Sequence, residues 1–238
     1  MTKRTWIIVG ATSIIAEEFA RLVAKEGHDL RLLGRNIEQL KVIADDLKIR
    51  FAIGVEVFPL DVMENNLPLE KLLYAKTEVD LFLAQSDFAG NAYLNEESIK
   101  QLIQINITAS VLLINAYWQK PQSAHHLLYL SSVAACRGRT KNSLYGASKA
   151  AIEVYLQGLQ QSATPTQIVT IARLGFIDTK QTYGLPGIFY AAPPKDCAQA
   201  CLQALKHKKR MFYFPGFWRL IMGIITRLPF FVYKRMEV

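Results

Sequence analysis

Ser132, Tyr145 and Lys149 have the types and spacing for proton chemistry. Ser132 follows the apolar run Leu127–Ser131, and Tyr145-Gly146-Ala147-Ser148-Lys149 begins thirteen residues after it. An i,i+4 spacing sets Tyr145 and Lys149 on one helix face. A phenol has an ordinary pKa of about 10, so acid–base work near neutrality needs assistance. An ammonium beside it stabilises the phenolate and lowers that pKa, and a serine hydroxyl can hydrogen-bond a substrate oxygen. One Tyr-x-x-x-Lys pair is expected about 0.7 times by chance in a chain of this composition. The pair therefore takes its meaning from the serine-ended strand before it.

A second group could hold a nucleotide. The strand-like Thr5–Val9 runs into Gly10-Ala11-Thr12-Ser13-Ile14-Ile15-Ala16 and then a helix. A small-residue turn there lets backbone N–H groups approach a pyrophosphate at the helix N-terminus. Only Gly10 remains of a three-glycine fingerprint, so an ordinary strand-to-helix turn stays open. Arg35 stands after the second strand, where an acid would favour a ribose 2′-hydroxyl; a cation there favours a 2′-phosphate. Asp61 and Val62, just past the third strand, could meet an adenine or simply make a turn.

The elements that must position these residues alternate. Strands are predicted at Thr5–Val9, Asp29–Leu33, Val55–Pro59, Val79–Ala84, Leu127–Ser131, Ile168–Ala172 and Met211–Phe214. Helices are predicted at Ile14–Lys25, Ile37–Leu47, Glu96–Trp118, Ser143–Gln160 and Asp196–His207. That series implies an α/β fold, a single doubly wound parallel sheet with helices on both faces and its ligand beyond the strands' C-terminal ends. The irregular stretch Asp178–Lys195 has the length of a lid or binding loop.

The chain has 238 residues, is 51% hydrophobic and 20% charged, and carries a net charge of +8. Disorder and disulfide-dense scaffolds are excluded by that composition, and three cysteines give no paired framework. The charge is localised. Residues 206–238 hold eight Lys and Arg against one acid, whereas residues 1–205 hold 20 against 19. Nucleic-acid binding is therefore disfavoured. Four scattered histidines suggest no metal site. No secretory leader and no unbroken apolar run of about 20 residues is visible, which predicts a cytoplasmic protein.

The chain resembles the short-chain dehydrogenase/reductase family over residues 5 to 215. The resemblance implies a Rossmann-type fold and a catalytic set falling on Asn106, Ser132, Tyr145 and Lys149. Asn106 lies in Ile105-Asn106-Ile107, where the family's Asn kinks the long helix and holds a water leading to the lysine. Arg173-Leu174-Gly175-Phe176-Ile177-Asp178-Thr179 is similar to the family's Arg-Pro-Gly-x-x-x-Thr segment, implying Ile177 and Thr179 contacts to a nicotinamide carboxamide. Gly10, Thr12, Ser13, Ile15, Arg35, Asp61, Val62, Tyr145 and Lys149 complete the implied cofactor set. NADP(H) is favoured over NAD(H) through Arg35. The implied reaction is hydride transfer to a ketone, with Tyr145 as proton donor and Ser132 polarising the carbonyl. Departures are Ile14 and Ala16 in the glycine turn, Leu174 for proline, and Gln85-Ser86-Asp87 where the family has Asn-Asn-Ala.

Residues 216–238 read as an apolar-basic helical tail behind a catalytic domain of residues 1–215. On a helix, Arg219 and Arg227 leave a wide apolar surface including Trp218, Leu220, Ile221, Ile224, Ile225 and Leu228. Such a segment suits an anionic membrane surface through residues 206–235, on the inner face of the cell membrane, or it packs between subunits. The tail and Leu174 resemble the branch of the family that reduces a decaprenyl-phosphoryl keto-pentose. A small-molecule or lipid-linked carbonyl substrate follows, and a homodimer or homotetramer paired through the two long helices. A soluble 3-oxoacyl-thioester reductase and a catalytically silent NADP-binding regulatory protein are the alternative readings.

Overall fold

The computed structural model describes residues 3–64, 66–180, 182 and 189–236. Seven strands, β1 (Thr5–Val9), β2 (Asp29–Gly34), β3 (Val55–Pro59), β4 (Val79–Leu83), β5 (His125–Ser132), β6 (Gln167–Leu174) and β7 (Met211–Phe214), form one parallel sheet in the order β3-β2-β1-β4-β5-β6-β7. Every strand pair runs parallel, so all the C-terminal ends lie along one edge. The order reverses between β1 and β4, which opens a crevice at that edge.

Strand alternation divides the core in two. Trp6 and Ile8 of β1 face one layer, packed with α1 (Ile14–Lys25), α2 (Ile37–Phe51) and α7 (Pro194–Lys206). Ile7 and Val9 face the other layer, where Leu113 and Tyr117 of α5 (Ala109–Trp118) and Ile152 and Leu156 of α6 (Ser143–Ser162) are buried. Helices on both faces of a parallel sheet are thus as predicted. The short α3 (Leu69–Leu73) was not predicted; only Leu72 and Leu73 of its five residues are buried, too brief a pattern to show helical periodicity.

Helix α4 (Glu96–Ile103) continues through a π-turn, Gln104–Thr108, into α5. This Glu96–Trp118 helix is long and apolar enough to cross a membrane by length and composition. Its apolarity is used within the domain, where Leu102, Ile105, Ala109, Leu113, Ile114 and Tyr117 are buried.

After the sheet, the chain forms two short helices, α8 (Trp218–Ile225) and α9 (Phe230–Tyr233). They are separated at Thr226–Pro229, so no single continuous helix carries Arg219 and Arg227. Trp218 and Met222, one turn apart, are buried in a small third cluster with Val133, against which Cys136, Phe176 and Tyr213 pack.

Candidate active site

At the end of β1, Gly10 adopts φ +76°, in the left-handed region. A Cβ there would stand 2.7 Å from the backbone nitrogen of Gln85. Only glycine meets both demands. Ser13 caps α1 in extended conformation without spending its side chain on the helix. Ile14 is 47% exposed, so the bulky residue in the turn does not fill it. Ile15 is buried in the core and can offer a ligand only its backbone. Thr12 packs toward Gly34, whose absent Cβ would lie 4.0 Å from the threonine methyl. Arg35 is exposed just beyond β2, without an ion-pair partner among the described residues. Asp61 accepts a hydrogen bond from the Met63 N–H at 3.0 Å, the turn role foreseen for it, and Val62 is buried. Behind Gly10, Gln85 donates to Ser110 Oγ at 3.1 Å, while its buried Oε1 has no hydrogen-bond partner among the described residues. A bare turn, an unspent hydroxyl at a helix N-terminus and an unpartnered cation fit a phosphate-bearing dinucleotide.

Two strands along the sheet from β1, Ser132 ends β5, and its Oγ accepts from the Ala134 N–H at 3.1 Å. Gly146, directly after Tyr145, lets α6 approach this turn: a Cβ there would meet the Ala134 carbonyl at 2.6 Å. Tyr145 is half-buried, with Phe88 edge-on at 5.1 Å between ring centres. Burial pushes its pKa up; hydrogen bonding with Ser132 and Ser86 and the positive charge of Arg139 act in the opposite direction. Lys149 is buried, donates to the Leu130 carbonyl at 2.9 Å and lies 4.9 Å from the Tyr129 ring and 5.9 Å from the Tyr145 ring. Burial lowers its pKa to about 7 against the pull of Glu153. Here the structure departs from the sequence expectation. The cation whose charge reaches the phenol is Arg139, and Lys149 is itself driven toward neutrality.

Asn106 sits in the π-turn, buried. Its Oδ1 accepts from the Asp87 N–H at 2.7 Å, and its Nδ2 donates to the Asp87 carbonyl and Ser148 Oγ, each at 3.0 Å. Ser148 Oγ donates to the Tyr145 carbonyl at 2.8 Å. Asn106 thus ties the loop after β4 to the Tyr145 turn of α6. Below Lys149, buried Glu153 accepts from Ser131 Oγ at 2.6 Å and pairs with Arg173, whose Nη1 donates to the Tyr213 hydroxyl at 2.6 Å.

Lys149 gives a stability prediction. Its folded pKa of about 7 lies below its ordinary 10.5, so between those values the unfolded chain holds a proton the folded chain lacks. Stability from this group therefore rises with pH across that window and is lowest below pH 7. Lys149→Met should flatten the rise, measured as unfolding free energy in urea from pH 6 to pH 10. An unchanged slope would contradict the burial argument.

Ile177 forms a parallel bridge with Ala192, and its carbonyl accepts from Thr182 Oγ1. Thr179 donates its N–H to Thr182 Oγ1 at 3.1 Å. Both lie beyond β6 at the same edge. Within the foreseen loop Asp178–Lys195, Gln181 and residues 183–188, including Gly184, Pro186 and Gly187, lie outside the described residues.

Sequence reasoning missed two contributors. The Trp218 indole lies across Gly175: a Cβ there would be 1.9 Å from its Nε1. Arg139 lies in the loop joining Ser132 to Tyr145, with its Nη2 3.9 Å from Met222 Sδ. Its neighbour Arg137 donates to the Ile225 and Leu228 carbonyls and stacks on the Tyr233 ring at 3.8 Å. Helix α8 is thereby held against the loop between Ser132 and Tyr145. Both signals depend on which segments meet, which residue spacing does not encode.

Comparison with known proteins agrees with this fold. The short chain dehydrogenase family model matches residues 4–185. An uncharacterized oxidoreductase of Mycobacterium tuberculosis is 30% identical, covering 97% of this chain and 96% of its own. Among solved structures, a 7β-hydroxysteroid dehydrogenase superposes with a TM-score of 0.85 at 18% identity, covering 98% of this chain and 96% of that one. A short-chain dehydrogenase from Sphingobium yanoikuyae in complex with NADPH superposes at 0.80 and 22% identity, covering 95% and 96%. With a family model spanning most of the chain and a relative 30% identical over nearly its whole length, this protein belongs to the short-chain dehydrogenase family.

Proposed function

We propose that the protein is an NADPH-dependent reductase of a lipid-like or lipid-linked ketone, working at a membrane surface. The observation that carries the lipid part is α8, which buries Trp218 and Met222 against the site while leaving Leu220 and Ile224 largely exposed. Phe230 and Phe231 of α9 are exposed too, as are Arg219, Arg227, Lys234 and Arg235 in the same segment of chain. On this reading residues 1–215 are the catalytic domain, and residues 216–238 are a tail serving both substrate and membrane. The setting is the inner face of the cell membrane, and the substrate is of the kind handled by the decaprenyl-phosphoryl keto-pentose branch, which the tail resembles in sequence. Exposed Ile99, Ile103, Leu112 and Val154 on the two long helices suit pairing into a homodimer or homotetramer.

When bound, NADPH supplies a hydride for a carbonyl carbon. The turn at Gly10, Thr12 and Ser13 and the Ile15 backbone would hold its pyrophosphate, Arg35 its 2′-phosphate, and Asp61 and Val62 its adenine. Tyr145 and Lys149 would bind the ribose, and Ile177 and Thr179 would meet the carboxamide. NADP(H) is the favoured pair because Arg35, just beyond β2, has no ion-pair partner among the described residues and because the Sphingobium structure is a complex with NADPH. Ser132 Oγ donates to the substrate carbonyl. Tyr145 gives its phenolic proton to the same oxygen as charge develops there. Lys149, when it holds its proton, assists the phenol from the same helix face, and Asn106 keeps the Tyr145 turn in register.

The membrane part has a direct test. Removing the tail would strip Trp218 from its cluster, so the exposed face is altered instead: Leu220→Gln, Ile224→Gln, Phe230→Gln and Phe231→Gln together. The native chain should sediment with phosphatidylglycerol vesicles, each basic contact adding about 1 kcal/mol. The variant should remain in the supernatant with unchanged oligomer size. Vesicle binding by the variant, or a changed oligomer, would contradict the reading.

A further inference from the structure

We propose that Arg139 is a specificity-determining residue that takes an oxyanion, a phosphate ester or carboxylate, carried by the substrate close to its reacting carbonyl. The proposal rests on the reductase reading of this site and names the chemistry of its substrate. Among the described arginines, Arg4, Arg21, Arg31 and Arg173 are at least half-buried and each meets a carboxylate. Arg137 is half-buried too and meets two helix carbonyls. Arg139 is the one half-buried arginine that meets no oxygen acceptor among the described residues, only the thioether of Met222.

A guanidinium stays charged in a protein, and a charge withdrawn from water without a partner is costly. The cost is visible in its pKa, which burial lowers, and among the described residues the groups whose charges act on it are Tyr233, Cys136 and Tyr145, none of them a carboxylate. The position is informative. Arg139 stands seven residues after Ser132 and six before Tyr145, with α8 as its other wall. An oxyanion on the substrate would supply the missing acceptor through a planar, two-toothed contact suited to phosphate or carboxylate. It would also fix which carbonyl of a substrate lies under Ser132 and Tyr145.

Two arms test this on the full-length protein with NADP⁺ or NADPH saturating. The first is binding, without turnover, by calorimetry: hexyl phosphate and hexanoate as probes, hexanol as the uncharged control. Native protein should bind at least one anionic probe at least about tenfold more tightly than Arg139→Gln does, with Arg139→Lys between them. Which probe depends on Arg139 tells phosphate from carboxylate. Equal binding of both probes by native and Arg139→Gln protein overturns the proposal.

The second arm is turnover of two ketones, the hexyl phosphodiester of hydroxyacetone and its uncharged hexyl ether. If the oxyanion is a phosphate, the native kcat/KM ratio of diester to ether should exceed about ten, mainly through KM, and should approach one in Arg139→Gln. A ratio that survives the substitution overturns the phosphate assignment. Absence of any turnover would count against the reductase reading alone, because the binding arm still decides the role of Arg139. Melting curves confirm that each variant is folded, and a melted Arg139→Gln leaves Arg139→Lys to carry both arms.

Discussion

Tyr145→Phe should lower kcat about 10³-fold and weaken NADPH binding far less, since Lys149 and the β1 turn still hold the cofactor. The substitution isolates one atom. Phenylalanine keeps the ring that Phe88 meets edge-on and that Lys149 faces at 5.9 Å, so packing at the start of α6 is preserved. What is lost is the hydroxyl that shares hydrogen bonding with Ser132 and Ser86. Without it, the oxygen of a reduced carbonyl has no positioned proton donor, and Ser132 alone can only polarise. Single-turnover kinetics with a saturating ketone separate this loss from binding. Turnover close to that of the native chain would place the proton donor elsewhere and remove the proposed mechanism.

Gly175→Ala should cost about 3 kcal/mol of stability and shift Trp218 fluorescence to the red, the change expected when a buried indole loses its site. The added methyl would arrive 1.9 Å from Trp218 Nε1 and 2.3 Å from its Cδ1, so the whole edge of the ring must leave. The indole cannot slide along α8, because Met222 one turn later is buried in the same cluster and Arg137 caps the helix end. Expelling Trp218 therefore lifts α8 from the loop carrying Arg139. The double variant Gly175→Ala with Trp218→Ala should recover part of the stability lost by Gly175→Ala, since the clash is gone. Melting temperatures of the two single variants and the double variant measure that coupling. Simple additivity would show that the contact is not the cause.

Much of the fold was legible because each strand is a compact apolar run and each helix a periodic one. Thr5–Val9, Ile14–Lys25 and Met211–Phe214 carry the predicted bounds. Strands β5 and β6 extend further than predicted because His125, Ser132 and Gln167 join the ladder despite their polarity. The neighbourhood of Tyr145 and Lys149 was legible from i,i+4 spacing. Its electrostatics were not: a sequence places an ammonium near a phenol, but burial decides whether that ammonium keeps its proton. Nor could spacing reveal that Asn106 would be spent on Asp87 and Ser148, or that α8 would fold back across Gly175. Those are contacts between segments far apart in the chain. The tail composition pointed outward to a membrane, while its buried half, Trp218 and Met222, faces the site.

Isotope transfer reads carbonyl reduction, with its proton chemistry at Tyr145, at the reacting carbon itself. Full-length protein, phosphatidylglycerol vesicles and a lipid-linked ketone are incubated with NADPH carrying deuterium at the transferring position of its nicotinamide, and the lipid product is read by mass spectrometry. The account predicts an alcohol with one deuterium on the former carbonyl carbon, formed by the native chain and not by Tyr145→Phe. A lipid recovered unchanged, or an alcohol without deuterium, would contradict it.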